Sequence, residues 1–88
     1  MRNKRTFPKR LRLCGRSIRV RRQKLRRVYG DQEPGLIRLD SRLTGRKLLA
    51  ALLHECIHEI DPDLSERRVE KLDSNLSRAL SQAGYHRD

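Results

Sequence analysis

Hydrophobic and polar positions change their period once along the chain. The front half alternates, and the back half repeats every three to four residues. Leu11 and Leu13, then Ile18 and Val20, are each separated by a single arginine, Arg12 and Arg19. That period of two predicts strands with one apolar and one basic face. Leu25, Val28 and Tyr29 fit either a further short strand or a helical turn. Gly30-Asp31-Gln32-Glu33-Pro34-Gly35 is dense in turn formers and predicts a loop. Leu36-Ile37-Arg38-Leu39-Asp40 then reads as a short strand ending at Ser41. Residues 1–10 are basic, are broken by Pro8 and read as a flexible arm, which leaves 11–88 as a single domain.

Behind the strands the period lengthens. Thr44 is placed to cap a helix that runs to about Ile60. Leu48, Leu49, Ala50, Ala51, Leu52, Leu53, Cys56, Ile57 and Ile60 cover most of its circumference, the pattern of a buried central helix. Asp61-Pro62-Asp63 breaks it, and Asp63-Leu64-Ser65-Glu66 has the spacing of a capping box opening a second helix. Val69, Leu72, Leu76, Leu80 and Ala83 form that helix's apolar stripe, and Gly84 suits its C-terminus. The expected fold is α+β: a small, mostly antiparallel sheet followed by two helices.

Composition narrows the function classes. At 88 residues, 35% of them hydrophobic, the chain has room for one thin core. A metal, a partner subunit or a bound polyanion would help to hold such a core. No apolar run is long enough to span a bilayer and no secretory signal is evident, so a cytoplasmic location is expected. Cys14 and Cys56, far apart in sequence, suit free thiols in a reducing compartment. The net charge of +11 is uneven: residues 1–47 carry 17 Lys/Arg against Asp31, Glu33 and Asp40, whereas residues 48–88 carry five against eight acids. An Arg-rich stretch over residues 1–30 attracts nucleic acid or an acidic protein through charge. It lacks the interleaved aromatics of a single-strand platform and any base-reading motif.

The chemistry concentrates in His54-Glu55-Cys56-Ile57-His58, an H-E-x-x-H pattern on the predicted buried helix. Residues i and i+4 share a helical face, so two imidazoles can hold one Zn²⁺. Glu55, about 100° further round, is placed to act as general base on a water whose pKa the metal lowers. A catalytic zinc needs a third protein ligand, and position 64, where a metzincin has His, is Leu64. His86 lies at the C-terminal end. The candidates are therefore the carboxylates Asp63, Glu66, Glu70 and Asp73. Glu66 is favoured because a second helix folding back turns it toward the first, with Glu70 and Asp63 as alternatives; the remaining Glu would orient a histidine. Cys56, about 160° round the helix from His58, should pack in the core.

The strand Leu36–Asp40, the H-E-x-x-H helix and a helix bearing Glu66-x-x-x-Glu70 together resemble a miniature zincin metallopeptidase of the gluzincin branch. More narrowly, Leu36 to Tyr85 resembles short HExxH proteins of bacteriophages and prophages. The shared features are Asp63-Leu64-Ser65-Glu66, Val69-Glu70 and the terminal Gly84-Tyr85. The resemblance implies a zinc-dependent peptide hydrolase of phage or bacterial origin, with His54, His58 and a Glu of the next helix on the metal. It implies also that an extended substrate pairs with an edge strand, for which Leu36, Ile37, Arg38, Leu39 and Asp40 are the candidates. Compared with larger gluzincins, the chain lacks a C-terminal substrate-binding domain and an obvious Tyr or His to stabilise an oxyanion. The alternative function is a basic module binding nucleic acid or an acidic partner, with a structural or vestigial zinc site.

Overall fold

Alternation in the front half produces two tight hairpins. A computed structural model describes residues 7–85, so residues 1–6 of the expected arm and the candidate His86 lie outside the described residues. The first hairpin pairs β1 (Arg10–Leu13) with β2 (Arg16–Gln23), with Leu13 opposite Arg16. Only Cys14 and Gly15 remain for the turn, and both have positive φ (53° and 75°). This is the twist-matched turn that two-residue hairpins favour. The second hairpin pairs β3 (Gly30–Glu33) with β4 (Leu36–Asp40) across Pro34-Gly35, where proline supplies the negative φ and Gly35 (φ 82°) the positive one.

The two hairpins join along a parallel β2–β4 pairing, giving a sheet of order β1-β2-β4-β3. The architecture is α+β as expected, but the sheet is mixed rather than mostly antiparallel. Segment 24–29 is the reason. It forms neither strand nor helical turn; it crosses the end of β4 and delivers β3 to the far edge, leaving a slot that β4 returns to fill. The expected loop at Gly30–Gly35 is thus a strand plus a two-residue turn. Its Gly-Asp-Gln-Glu sequence has little strand propensity, and pairing with β4 overrides local preference. Leu36–Asp40 is consequently an interior strand, and β3 holds the edge expected of it. The described part of the arm is docked: Lys9 accepts a bond from the Val20 N–H (2.9 Å), and Phe7 packs on the core beneath Arg22.

The sheet's inner face carries Ile18, Val20, Ile37 and Leu39, which with Leu43, Leu48 and Ala51 make the core. α1 (Gly45–Ile60) lies across this face, capped by the extended backbone of Thr44. Only Leu48, Ala51, Glu55 and Glu59 on it are buried; Leu49, Ala50, Leu52, Leu53, Cys56 and Ile57 are partly covered, and Ile60, expected in the buried pattern, is exposed at the helix end. α2 (Glu66–Gln82) folds back on α1 and, among the described residues, touches no strand. Its cap is Ser65, whose hydroxyl accepts from the Arg68 N–H (3.3 Å), not Asp63. Starting two residues later than the capping box implies releases Glu66 from a capping role. Val69 alone of the apolar stripe is buried, while Leu72 and Leu76 remain exposed. Gly84 and Tyr85 close the helix with bonds to the Ser81 and Leu80 carbonyls. No helix among the described residues is long and apolar enough to cross a membrane.

A polar corner secures the crossover. Arg42 clamps the Asp40 carboxylate with Nε and Nη2 (2.9 and 2.7 Å) and reaches the Leu25 carbonyl, while Arg22 donates to the carbonyls of Asp40, Ser41 and Leu43. The Arg42 side-chain bonds, with its backbone N–H, pull the Asp40 pKa from 3.8 down to about 2. A depressed carboxylate stabilises the fold fully above its ordinary pKa, and the contribution is lost as pH falls through the lowered one. Asp40→Asn should therefore lower Tm at neutral pH and flatten its fall between pH 4 and 2. Melts followed by circular dichroism across that range are the check; an unchanged acid limb would place the acid sensitivity elsewhere.

Candidate metal centre

Helical geometry sorts the motif onto two faces of α1. Residues 48, 51, 55 and 59 follow the sheet-facing stripe, which sets Glu55 and Glu59 against the β3–β4 hairpin. His54 and His58, one turn apart, look toward α2. Glu59 fixes the register between helix and sheet. Its carboxylate, only 2% exposed, accepts from Gln32 Nε2 (2.6 Å), Arg16 Nη2 (3.0 Å) and the Gly35 N–H (3.4 Å). One side chain thus ties the end of α1 to both hairpins.

Three donor atoms converge between α1 and the first turn of α2. His58 Nε2 lies 2.8 Å from Glu66 Oε1, His54 Nε2 lies 3.1 Å from the same oxygen, and the two Nε2 atoms are 3.2 Å apart. Ligands about 2.0 Å from a tetrahedral zinc stand about 3.3 Å from one another, so this triangle has the size that one zinc ion requires. Among the described residues, no other group of His, Cys, Asp or Glu converges in this way. Glu70 and Asp63, the alternative third ligands, are both exposed and stand outside the triangle.

Behind the triangle, His54 Nδ1 donates to Asp73 Oδ2 at 2.6 Å. That bond fixes the ring so that Nε2 presents its lone pair to the triangle, the usual arrangement behind a metal-binding histidine. The supporting acid expected four residues after Glu66 is Glu70; the structure uses Asp73 instead. Seven residues on, Asp73 returns to the face of α2 turned toward α1, whereas Glu70 points off it. Burial lowers the His54 pKa, but the Asp73 hydrogen bond and the charges of Glu55, Glu66 and Asp73 outweigh it and hold it above the ordinary value.

Glu55 is 6% exposed and lies against β3, where the Cβ that Gly30 lacks would stand 3.3 Å from Glu55 Cγ and 3.0 Å from the Arg38 carbonyl oxygen. Gly30 is thus a packing glycine that lets the strand approach the helix. Burial, opposed by the two histidines, raises the Glu55 pKa, which suits a base that must also give its proton up. Cys56 packs against the core, where burial, with Glu55 and Glu59, pushes its thiol up to about 11. It is no ligand.

The triangle and Glu55 line a cleft of about 700 Å³, shared with Val28, Tyr29, the β3 backbone, Lys47, Glu70 and Asp73. Tyr29, just before β3, also lines it. Its position upstream, in a segment of uncertain structure, hides it from spacing arguments. Asp73, one of the candidate third ligands, bonds His54 instead, and Glu59 reads as an ordinary helical acid in the sequence. Glu59→Ala should leave Gln32 and the Gly35 N–H without an acceptor and cost about 2–4 kcal/mol, read as a lowered urea midpoint. A loss under 0.5 kcal/mol would show that the helix is held by apolar contacts alone.

Compared with protein-family models, curated proteins and solved structures, the chain matches none of them.

Proposed function

We propose that this chain is a zinc-dependent, metallopeptidase-like hydrolase of phage or bacterial origin. His54, His58 and Glu66 are its metal ligands and Glu55 its general base. The observation that carries the reading is the donor triangle, with sides of 2.8, 3.1 and 3.2 Å, beside a buried carboxylate in one cleft. Three protein donors facing a cleft suit a catalytic site better than a structural one, which is closed by four. Zinc held there would act as a Lewis acid on water and on the scissile carbonyl.

The chain's own residues supply the rest. Glu55 takes a proton from the attacking water as the new C–O bond forms at the carbonyl carbon, then passes it to the amine nitrogen as the C–N bond breaks. β3 is an edge strand whose Gly30, Asp31 and Gln32 line the same cleft, and its free edge would offer backbone groups to an extended peptide. It takes the place of Leu36–Asp40, which is paired on both sides. Tyr29 and Val28 line the cleft; in this reading the Tyr29 hydroxyl would hydrogen-bond the oxyanion and Val28 would contact a substrate side chain.

Elemental mass spectrometry of purified protein should find near one zinc per chain in the wild type and none in His54→Ala/His58→Ala. Glu55→Gln should keep the zinc and lose turnover of a quenched-fluorescent peptide library by 10²- to 10⁴-fold. Asp73→Asn should weaken zinc binding by 10- to 100-fold in a chelator competition. Equal turnover in wild type and Glu55→Gln would overturn the peptidase reading, and absence of zinc after reconstitution would overturn the metal site.

A further inference from the structure

The other face of the sheet has a different chemistry. Alternation that turns Leu11, Leu13, Ile18, Val20, Ile37 and Leu39 inward turns Arg10, Arg12, Arg19, Arg21 and Arg38 outward. Among the described residues no element covers them: α1 lies on the inner face, and α2 packs on α1 alone. Pairing sets Arg10 opposite Arg19 and Arg21 opposite Arg38, like charges facing each other across neighbouring strands. Such pairs oppose folding unless a counter-charge lies over them. Arg38 has one, a bidentate bond to Asp31 at 2.7 Å on each arm. Among the described residues, Arg10 and Arg12 reach only neutral oxygens, of Ser17 and Gly15, and neither Arg19 nor Arg21 forms an ion pair. The β1–β2 half of the face is therefore an un-neutralised guanidinium grid, spaced about 5 Å between strands and about 7 Å along them.

We propose that this face binds the phosphate backbone of duplex nucleic acid, independently of sequence and of the metal centre. The cations are all Arg, whose planar fork meets two phosphate oxygens at once. A protein partner would need apolar or aromatic anchors to bury; the outward positions of β1 and β2 carry none, and Leu36 of β4, paired with Arg19, stands at their margin. The absence of aromatics on the grid also excludes base stacking, which selects the duplex over a single strand. Sheet and α1 stand between the grid and the cleft, so a bound duplex leaves the cleft open on the opposite side.

Fluorescence anisotropy of the full chain with a labelled mixed-sequence 20-base-pair DNA duplex tests this, with a single strand and polyglutamate of equal charge as competitors. Wild type should bind with a strong salt dependence, and the duplex should compete at least tenfold better than either alternative. Arg19→Thr/Arg21→Thr should weaken binding about tenfold or more and reduce the slope of log K against log salt by about 2. Arg67→Gln/Arg78→Gln, the same charge change on exposed α2, should weaken it less than threefold. Arg10→Gln/Arg12→Gln on the edge strand serves should the β2 pair fail to fold, and Glu55→Gln should bind as wild type does. Equal losses from face and α2 pairs, or no binding, would overturn the proposal. Polyglutamate competing as well as the duplex would overturn it in favour of an acidic protein partner.

Discussion

Much of this small structure depends on a single carboxylate removed from water. Glu59 sits where α1 ends, the first hairpin turns and the second hairpin turns, and it accepts a bond from each hairpin. A buried acid is costly unless all its lone pairs are used. Here that requirement becomes a constraint: only one rotation of α1 about its axis satisfies Arg16, Gln32 and the Gly35 N–H together. Glu55, one turn earlier, is then directed into β3, and His54 and His58 are directed at α2. The apolar core alone, with four side chains of full burial, would define that rotation less sharply.

Among the described residues, α2 packs against α1 and no other element. Its apolar stripe is half wet, with Leu72 and Leu76 exposed and Val69 the one side chain fully enclosed. Its best-defined contacts with the rest of the chain are polar: Glu66 on the two imidazoles and Asp73 on His54. Under the zinc reading, the metal would be a fastener of the second helix as well as a reagent. Ligand binding of this kind adds to folding free energy.

Element order and class were legible because the hydrophobic period changes cleanly from two to about 3.6 near Thr44. H-E-x-x-H was legible because its spacing is a property of any helix. The sheet's parallel seam was not, since nothing local in segment 24–29 says that it will cross a strand. Gly30–Glu33 looked like a loop because its strand character comes from β4 beside it. The role of Glu59, and the pairing of the candidate ligand Asp73 with His54, escaped for a related reason. A lone acid on a helix reads as solvated until tertiary structure supplies its partner, and both partners come from distant positions. The capping-box spacing at Asp63 misled because Ser65, two residues on, has an equally good capping oxygen and the turn geometry to use it.

The seam between β2 and β4 divides the molecule in a further sense. Everything before it is one hairpin of local contacts, and everything after it is a hairpin followed by two helices in sequence order. Each half closes short loops, so each can take shape on the fast timescale of local structure before they meet. The halves also separate their chemistry: all the cleft's imidazoles and carboxylates follow the seam, while four of the five outward arginines precede it. A chain built this way allows its two surfaces to change independently. Substitutions in the leading hairpin alter charge without touching the cleft, provided Arg16 keeps its hold on Glu59.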